Sequence, residues 1–534
     1  MTTVAQRAGS TNGLPAPRIH WRSTVQWVLL VLVDVFGAAL AFEIGRNGNW
    51  FFAGAIFLVL VLITAVMFVP SLRQMRWITP ALALMLILSV YPMVYTLFVS
   101  FTNFSDGHRS TKTEAVALLA ERRYLPEGGE TYQWSVFQNE AGDYALWLVA
   151  ADGTTSYARP GEPFERVTAN ESGTGPYNED GVPASIDGYT LLERGARFQA
   201  LNAIEEMTFG DAENAVGIRS SQTAGAFAQQ WTYDNATDSL TDHATGTVYV
   251  ADNSEGEFVA SDGTTAPIGF WVGVGIDNFV RILTTTLSQG PLLRVFLWTI
   301  AFAVFGSLSG FAVGLAAALL MNGTSPLLRI AKALMIIPYA VPGLISVLAW
   351  RGMLNANIGI IPETFNSIFG WAPSFSTDPG WAKFAVLLVN VWFSAPYFML
   401  IATGALQAIP SDVYEAAQVD GATGWRQFWK ITLPLVLVAL GPLIIASVIF
   451  NFNNFFLMEG LFQGGPPMAG TSAPPVGHTD NLISYTYRLA FSSGGTRDYG
   501  LASAMGALIF FIVGILTLMQ FRVMRTWETV SENV

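Results

Sequence analysis

The chain carries eight apolar runs, each about 20 residues long, the length that crosses the hydrocarbon core of a bilayer as a helix. They begin near residues 25, 50, 77, 292, 327, 380, 434 and 500. In lipid each run must satisfy its own backbone hydrogen bonds, and a helix does so within the segment. The 534 residues are 52% hydrophobic and 12% charged, where soluble domains carry about 25% charge. The sequence therefore predicts an all-α polytopic membrane protein with about eight transmembrane helices.

One region breaks the pattern. Residues 105–275 hold 26 acids and 9 basics, a net −17, and the other 13 acids and 18 basics leave +5, together the −12 of the whole chain. Short alternating runs such as Tyr144–Ala150 and 247–251 are separated by turn signals: Ala151-Asp152-Gly153, Asp187-Gly188 and Asp262-Gly263. Such a pattern predicts an inserted β-rich domain, with a helical piece near 113–123. Its acids contain no D-x-D-x-D-G calcium loop and read as a solvated surface. The predicted organisation is a tail over 1–24, spans 1–3 over 25–104, the insert over 105–275, and spans 4–8 over 276–534.

Short-loop positive charge orients the chain. Arg7, Arg18 and Arg22 lie in the tail, Arg73 and Arg76 after span 2, Arg329 and Lys332 before span 5, Arg426 and Lys430 before span 7, and Arg522 and Arg525 at the end. The positive-inside rule puts these loops and both termini in the cytoplasm, which needs an even number of spans and places the insert on the periplasmic side. Ala39-Leu40-Ala41 mimics a signal-peptidase site, but a second span follows at once and cleavage is not expected. Asp34 lies inside span 1, off-centre or facing a partner helix. Residues 276–287 suit a helix at the outer interface. Gly306, Gly310 and Gly314, four apart in span 4, suit close helix packing.

The chain lacks the groups for most chemistry. It has no cysteine. Its histidines, at 20, 108, 243 and 478, are too far apart for metal-ligand spacing. No catalytic constellation stands out and no basic patch suits nucleic acid. A P-loop needs Gly-Lys-Ser/Thr, whereas the four lysines follow Thr111, Ala331, Ala382 and Trp429. No cofactor is expected on this chain, and any ATP and Mg would sit on another.

Three stretches carry functional signals. Residues 410–434 are polar between two spans and read as two short helices around a turn. Ser411 or Asp412 can cap the first and Thr423 the second. Asp420-Gly421 supplies the break, and Pro434 marks the next span. A plain connector needs only a few residues, so this one either docks something or rests on lipid. In span 7, Ser447 is followed by Phe450, Asn451, Phe452, Asn453, Asn454, Phe455 and Phe456. Buried amides need partners. Asn451 and Asn454, three apart, fall on one helical face, either gluing helices or binding a neutral, hydroxyl-rich solute whose apolar faces stack on aromatic rings. Pro338 and Pro342 break span 5 around Tyr339 and Gly343, and Ser394-Ala395-Pro396-Tyr397 reads the same way in span 6.

The run Glu415-Ala416-Ala417, Asp420-Gly421-Ala422, Ile431 and Pro434 resembles the EAA loop of ABC-importer membrane subunits. Taken with Tyr91-Pro92, Ser100-Phe101-Thr102-Asn103, Pro338 to Pro342, Gly404 to Pro434, Phe450 to Phe455 and Tyr485-Thr486-Tyr487-Arg488, the chain resembles the larger membrane subunit of maltose/maltodextrin ABC importers, the MalF type. The likeness covers roughly 77–104 and 276–525; within 105–265 it rests on placement. It implies a type I ABC importer permease fold in the bacterial inner membrane. It implies a sugar site at Tyr339, Ser394, Tyr397, Phe450, Asn451 and Asn454, and an ATPase-coupling helix at Glu415, Ala416, Ala417, Asp420 and Gly421. Its partners would be a second permease subunit of the MalG type, a dimer of MalK-type ATPases and a periplasmic sugar-binding protein. The family carries a sugar-site serine after the second proline of span 5, and here that position is Gly343, so another di- or oligosaccharide such as trehalose stands as an alternative. A stand-alone secondary transporter would need paired intramembrane acids, for which only Asp34 qualifies. A membrane glycosyltransferase or hydrolase would need paired acids in the insert, and none can be paired from sequence.

Overall fold

The computed structural model describes residues 21–531 apart from 47, 168–172, 206, 212–214, 221–222, 288–289, 324, 470–475 and 492–496; the first twenty residues of the expected tail lie outside the described residues. The chain forms two compact units, Asn103–Val274 and the remainder, Met1–Thr102 with Gly275–Val534.

The larger unit begins with α1 (Trp21–Arg46) and α2 (Trp50–Phe68). They share a polar contact: the Thr64 hydroxyl donates to Asp34 Oδ2 at 3.0 Å and Oδ1 at 3.2 Å. Asp34 thus faces the neighbouring helix, where a carboxylate in lipid finds a donor. α3 (Thr79–Val99) contains a π turn, Leu86–Val90, just before Pro92. A wider turn relieves the clash between a proline ring and the preceding turn's carbonyl.

The insert opens on α4 (Lys112–Ala120), closed by a capping box in which Thr111 accepts from the Glu114 N–H and the Glu114 side chain accepts from the Thr111 N–H. A second helix, α5 (Arg194–Glu205), follows inside the domain. The larger sheet centres on the antiparallel pair Thr131–Gln138 and Tyr144–Ala150, which places Trp134 opposite Leu148 and Val136 opposite Leu146. Phe137, Trp147 and Tyr157 are fully buried on the opposite face from the Trp134 cluster. Trp231–Asp234, Ser239–Asp242, Thr247–Asp252 and Glu257–Ala260 form a four-stranded antiparallel meander.

The larger unit resumes at α6 (Asp277–Arg281), which runs into a π turn, Ile282–Leu287. Asn278 donates to the carbonyls of Ser100 (3.0 Å) and Thr102 (2.8 Å). α7 (Pro291–Leu320) is followed by α8 (Pro326–Ala340), α9 (Gly343–Met353), α10 (Ile360–Phe369), α11 (Pro379–Gln407), α12 (Ser411–Val419), α13 (Gly424–Phe452), α14 (Phe455–Phe462), α15 (Leu482–Phe491) and α16 (Tyr499–Ser531). Among the described residues, six helices are long and apolar enough to cross a membrane, and the pair α8 and α9, bent by 98°, would be a seventh. α1 covers the remaining apolar run of the sequence.

The glycine stripe of α7 faces α11. A Cβ at Gly310 would lie 2.1 Å from Ser394 Oγ, and one at Gly314 would lie 2.5 Å from Phe398 Cβ and 2.7 Å from the Ala395 carbonyl. No side chain fits there, so the two backbones approach closely.

Candidate functional site

The break between α8 and α9 follows from proline chemistry. Pro342 pushes the preceding residue out of the helical region, and Val341 is extended at φ −82°, ψ 135°. Pro338 lies inside α8 and does not end it. The sequence also predicted a break at Pro396, but α11 runs unbroken through it. Packing on Gly310 and Gly314 holds that stretch helical, so tertiary contact overrides the local preference.

Beside the α8–α9 break lies a cavity of about 760 Å³, within the range of about 300–1,000 Å³ usual for small-molecule sites. The break contributes Tyr339 and Gly343, α11 contributes Asn390, Ser394 and Tyr397, and α13 contributes Ser447, Phe450 and Asn451. Asn454 and Phe456 complete the lining beyond the end of α13. All six residues expected at a sugar site therefore meet at one cavity. Among the described residues, no acid, lysine, arginine or histidine lines it.

Its polar groups are partly committed to the fold. Asn451, only 2% exposed, donates from Nδ2 to Ser307 Oγ on α7 at 2.9 Å, and Ser447 Oγ donates to the same oxygen at 3.1 Å. Asn390 Nδ2 donates to the Gly306 carbonyl at 3.0 Å, and Ser394 Oγ donates to the Asn390 carbonyl at 2.7 Å. The amides thus do glue helices, while their remaining groups edge the cavity. Tyr339 and Tyr397 stack with centroids 6.5 Å apart, and their hydroxyls make no hydrogen bond among the described residues. Phe450 is 71% exposed. Aromatic faces with phenol and amide groups suit a neutral polyhydroxylated solute.

Asn454 departs from the expected geometry. α13 ends at Phe452, and Asn454 is the N-cap of α14, accepting from the Leu457 N–H at 3.1 Å. Asn451 and Asn454 therefore do not share a helical face. They meet across a break, with Asn454 Nδ2 3.4 Å from Asn451 Oδ1.

Residues 310–525 match the family described as "Binding-protein-dependent transport system inner membrane component", and residues 83–160 match "N-terminal of TM subunit in PBP-dependent ABC transporters". The "Maltose/maltodextrin transport system permease protein MalF" of Vibrio vulnificus (strain YJ016) is 33% identical over 513 residues, 93% of this chain and 94% of the relative. The chain belongs to the MalF family of permeases. The MalF protein of Salmonella typhi is 34% identical over 527 residues, 95% of this chain and 98% of its own. One chain of a solved bacterial ABC transporter involved in import of the acidic polysaccharide alginate is 22% identical, covering 47% of this chain and 84% of its own length, with a TM-score of 0.41. This MalF-family chain is a multi-pass inner-membrane protein and a transport component.

The loop expected to couple this MalF-family permease to an ATPase is a helix and a turn standing clear of the core. α12 buries no residue; Glu415, Ala416, Asp420 and Gly421 are exposed and Ala417 is half-buried. Gly421 has φ +76°, a backbone angle that glycine adopts freely, and the Ala422 N–H then reaches back to the Ala417 carbonyl at 2.9 Å. Neither Ser411 nor Asp412 caps α12: Pro410 holds that position and makes no side-chain cap. Ser411 points instead to Asp412 at 3.4 Å. Thr423 does cap α13, accepting from the Arg426 N–H at 3.4 Å. Pro434 does not begin a helix, because α13 is continuous from Gly424 and takes up the proline through a π turn, Phe428–Thr432. Tyr414 OH lies 3.0 Å from Thr432 Oγ1, tying α12 to that turn. Val419 (88% exposed) and Trp425 (71%) present apolar surface beside the motif.

Two polar residues go unmarked in the sequence: Asn390, which lines the cavity, and Ser307, which lies buried behind it and holds Asn451. Asn390 was legible as a lone amide in an apolar run, one helical turn before Ser394. Ser307 carried no such signal, since serine is tolerated in any span.

Proposed function

We propose that this chain is the larger permease subunit of an ATP-driven importer carrying maltose or maltodextrins through the α8–α11–α13 cavity. The observation that carries the reading is that cavity: neutral, aromatic-lined, edged with amides and phenols, in a chain that matches maltodextrin permeases over more than nine-tenths of its length. A charged solute would meet no counter-charge in it.

The remaining roles follow from the same reading. The cytoplasmic partner is a pair of MalK-type ATPases that hydrolyse ATP, since no lysine here sits in a P-loop. A MalG-type subunit completes the pathway, and a periplasmic binding protein delivers the sugar to the side carrying the insert. Both termini and the α12 loop are cytoplasmic by their positive charge. Closure of the ATPase pair shifts the spans only if α12 binds its two states differently. α13 connects the docking loop to the cavity as one helix, so displacement of α12 is carried to Asn451.

A second reading, another di- or oligosaccharide, is favoured by Gly343. It lines the cavity where the resemblance expects a serine, and a Cβ there would stand 3.2 Å from the Phe456 ring. Rates of ATP hydrolysis by the reconstituted complex against maltose, maltotriose, trehalose and sucrose separate the two. Stimulation by maltodextrins, lost in Asn451→Ala, supports the proposal. Stimulation by trehalose alone replaces the sugar, and normal uptake by Asn451→Ala removes the site.

A further inference from the structure

The end of the chain between α14 and α15 and the first turn of α15 form a knot of buried polar side chains. Thr479, Asp480, Asn481 and Ser484 are all 0% exposed. Asp480 pairs with Arg488 and accepts from the Gly477 N–H at 2.7 Å and from Ser484 Oγ at 2.7 Å. Thr479 Oγ1 donates to the Gly465 carbonyl at 2.7 Å. The knot is fastened to α7, where Trp298 Nε1 donates to the Thr479 carbonyl at 3.3 Å and the Leu482 N–H donates to Thr299 Oγ1 at 3.0 Å.

One of these residues reaches towards the cavity. Asn481 Oδ1 caps α15 by accepting from the Ser484 N–H at 2.9 Å, and its Nδ2 donates to the Asn454 carbonyl at 3.0 Å. Asn454 contacts Asn451, and Asn451 donates to Ser307. A continuous polar chain thus runs from the buried Asp480–Arg488 pair to the two amides of the cavity. Asn454 sits at a helix break, where its N–H donates to the Asn451 carbonyl at 3.2 Å and its side chain caps α14, and Asn481 adds the bond that holds its carbonyl. Asp480, fully buried and bonded to the Gly477 N–H and Ser484 Oγ beside Arg488, holds one arrangement, since removing a partner leaves an unpaired charge.

We propose that Asn481 is a positioning residue for solute binding: anchored by the Asp480–Ser484–Arg488 knot, it sets the placement of Asn454 and, through it, of Asn451 at the cavity. The proposal rests on the cavity being the sugar site. It makes solute affinity depend on a residue that does not line the cavity.

The test measures equilibrium dialysis of radiolabelled maltose against the purified full complex without its binding protein. Asn481→Ser keeps a capping oxygen for α15 but is too short to reach Asn454. It is expected to weaken binding about tenfold in a complex of normal yield. Thr479→Val cuts the loop's tie to Gly465, leaves the Asn454 bond, and is expected to stay within twofold of wild type. In an Asn454→Ala background, Asn481→Ser is expected to add less than twofold. An equal loss in Thr479→Val, or an undiminished tenfold loss in the Asn454→Ala background, makes Asn481 a folding residue only and overturns the proposal. Should Asn481→Ser fail to assemble, Asn481→Thr, which also keeps a capping oxygen and is too short to reach Asn454, takes its place under the same criteria. Wild type that binds none of maltose, maltotriose, trehalose and sucrose overturns the site reading itself; wild type that binds while Asn481→Ser binds equally well overturns only the positioning role.

Discussion

The two units use polar side chains in opposite ways. In the larger unit they are sparse and bridge elements far apart in sequence: Asn390 to Gly306, Asn451 to Ser307, Thr64 to Asp34. In the insert, aspartates close turns on themselves. Asp152, Asp234, Asp242, Asp252 and Asp262 each accept the N–H two residues on, at 2.8–3.0 Å. The solvent accounts for the difference. A polar group in lipid has no water to fall back on, so an amide or acid there finds a partner across a helix contact, while a hydroxyl such as Ser394 can also bond the carbonyl four residues before it. A turn aspartate in water needs only its own backbone. A polar residue in a span therefore carries information about tertiary structure, whereas an acid in the insert carries information about the next two residues.

The largest expected effect strikes the long-range side of this contrast. Gly314→Leu forces atoms into a space where even a Cβ would lie 2.5 Å from Phe398 Cβ. Overpacking alone typically costs about 1–3 kcal/mol, and here the obstacle includes backbone. The α7–α11 contact should open and the variant should be missing from assembled complex, as measured by copurification. Normal assembly would mean that the glycine stripe is not what joins these helices.

Gly421→Asp should separate folding from function. A Cβ there meets nothing within 4 Å. A left-handed angle costs a non-glycine residue about 1–2 kcal/mol, and aspartate tolerates it better than most. The complex should assemble and bind sugar, yet uptake should fall at least a hundredfold because the exposed turn no longer fits its ATPase. Uptake at the wild-type rate would leave α12 as a loop that rests on lipid.

What could be read from sequence follows the same division. The apolar runs, the glycine stripe, the Pro342 break and the Gly421 turn each express a rule local to a few residues, and the structure realises each of them. The continuity of α11 through Pro396 and of α13 through Pro434 was hidden. It depends on neighbours, Gly310 and Gly314 in one case and a π turn tied to Tyr414 in the other, that no local rule counts. The same holds for Ser307 and for the place of Asn454 beyond the end of its helix. In the insert the turns at Asp152, Asp187 and Asp262 are legible and the strand partners are not, since aspartates that bond locally say nothing of which strands pair. The number of acids suggests a solvated surface; each of the five aspartates above is a turn device, and Asp242 is buried.

A smaller effect is expected where the insert departs from its own habit. Asp238 is bound by the Lys112 ammonium at 2.6 Å, by Tyr233 OH at 2.7 Å and by Asn253 Nδ2 at 3.1 Å. These bonds, Lys112 first, bring its carboxyl from 3.8 down to about 2. A carboxyl depressed in the folded state stabilises fully above its unfolded pKa, and that stabilisation is lost as pH falls through the folded one. Amide exchange in the Trp231–Ala260 meander should thus stay slow down to about pH 4 and quicken towards pH 2. Lys112→Met should move that quickening to higher pH; an unchanged profile would show that this long-range pair contributes as little as an isolated surface ion pair.

The smallest effect is expected at Asp262, the plainest of the local turns. Its Oδ1 accepts from the Thr264 N–H at 2.9 Å and from Thr264 Oγ1 at 2.7 Å, bonds that lower its pKa. The turn also has a backbone closure of its own: the Gly263 N–H donates to the Ala260 carbonyl at 3.0 Å, and the Ala260 N–H to the Thr264 carbonyl at 2.8 Å. Removing the carboxylate exposes one amide and leaves the rest in place. Asp262→Ala should therefore speed exchange of the Thr264 amide alone, while Asp262→Asn, which keeps the acceptor without the charge, should leave it slow. If Asp262→Ala instead loosened the partner strands, the aspartate would be acting beyond its own turn. The contrast between turn acids in water and bridging amides in lipid would then fail at the residue where it ought to be clearest.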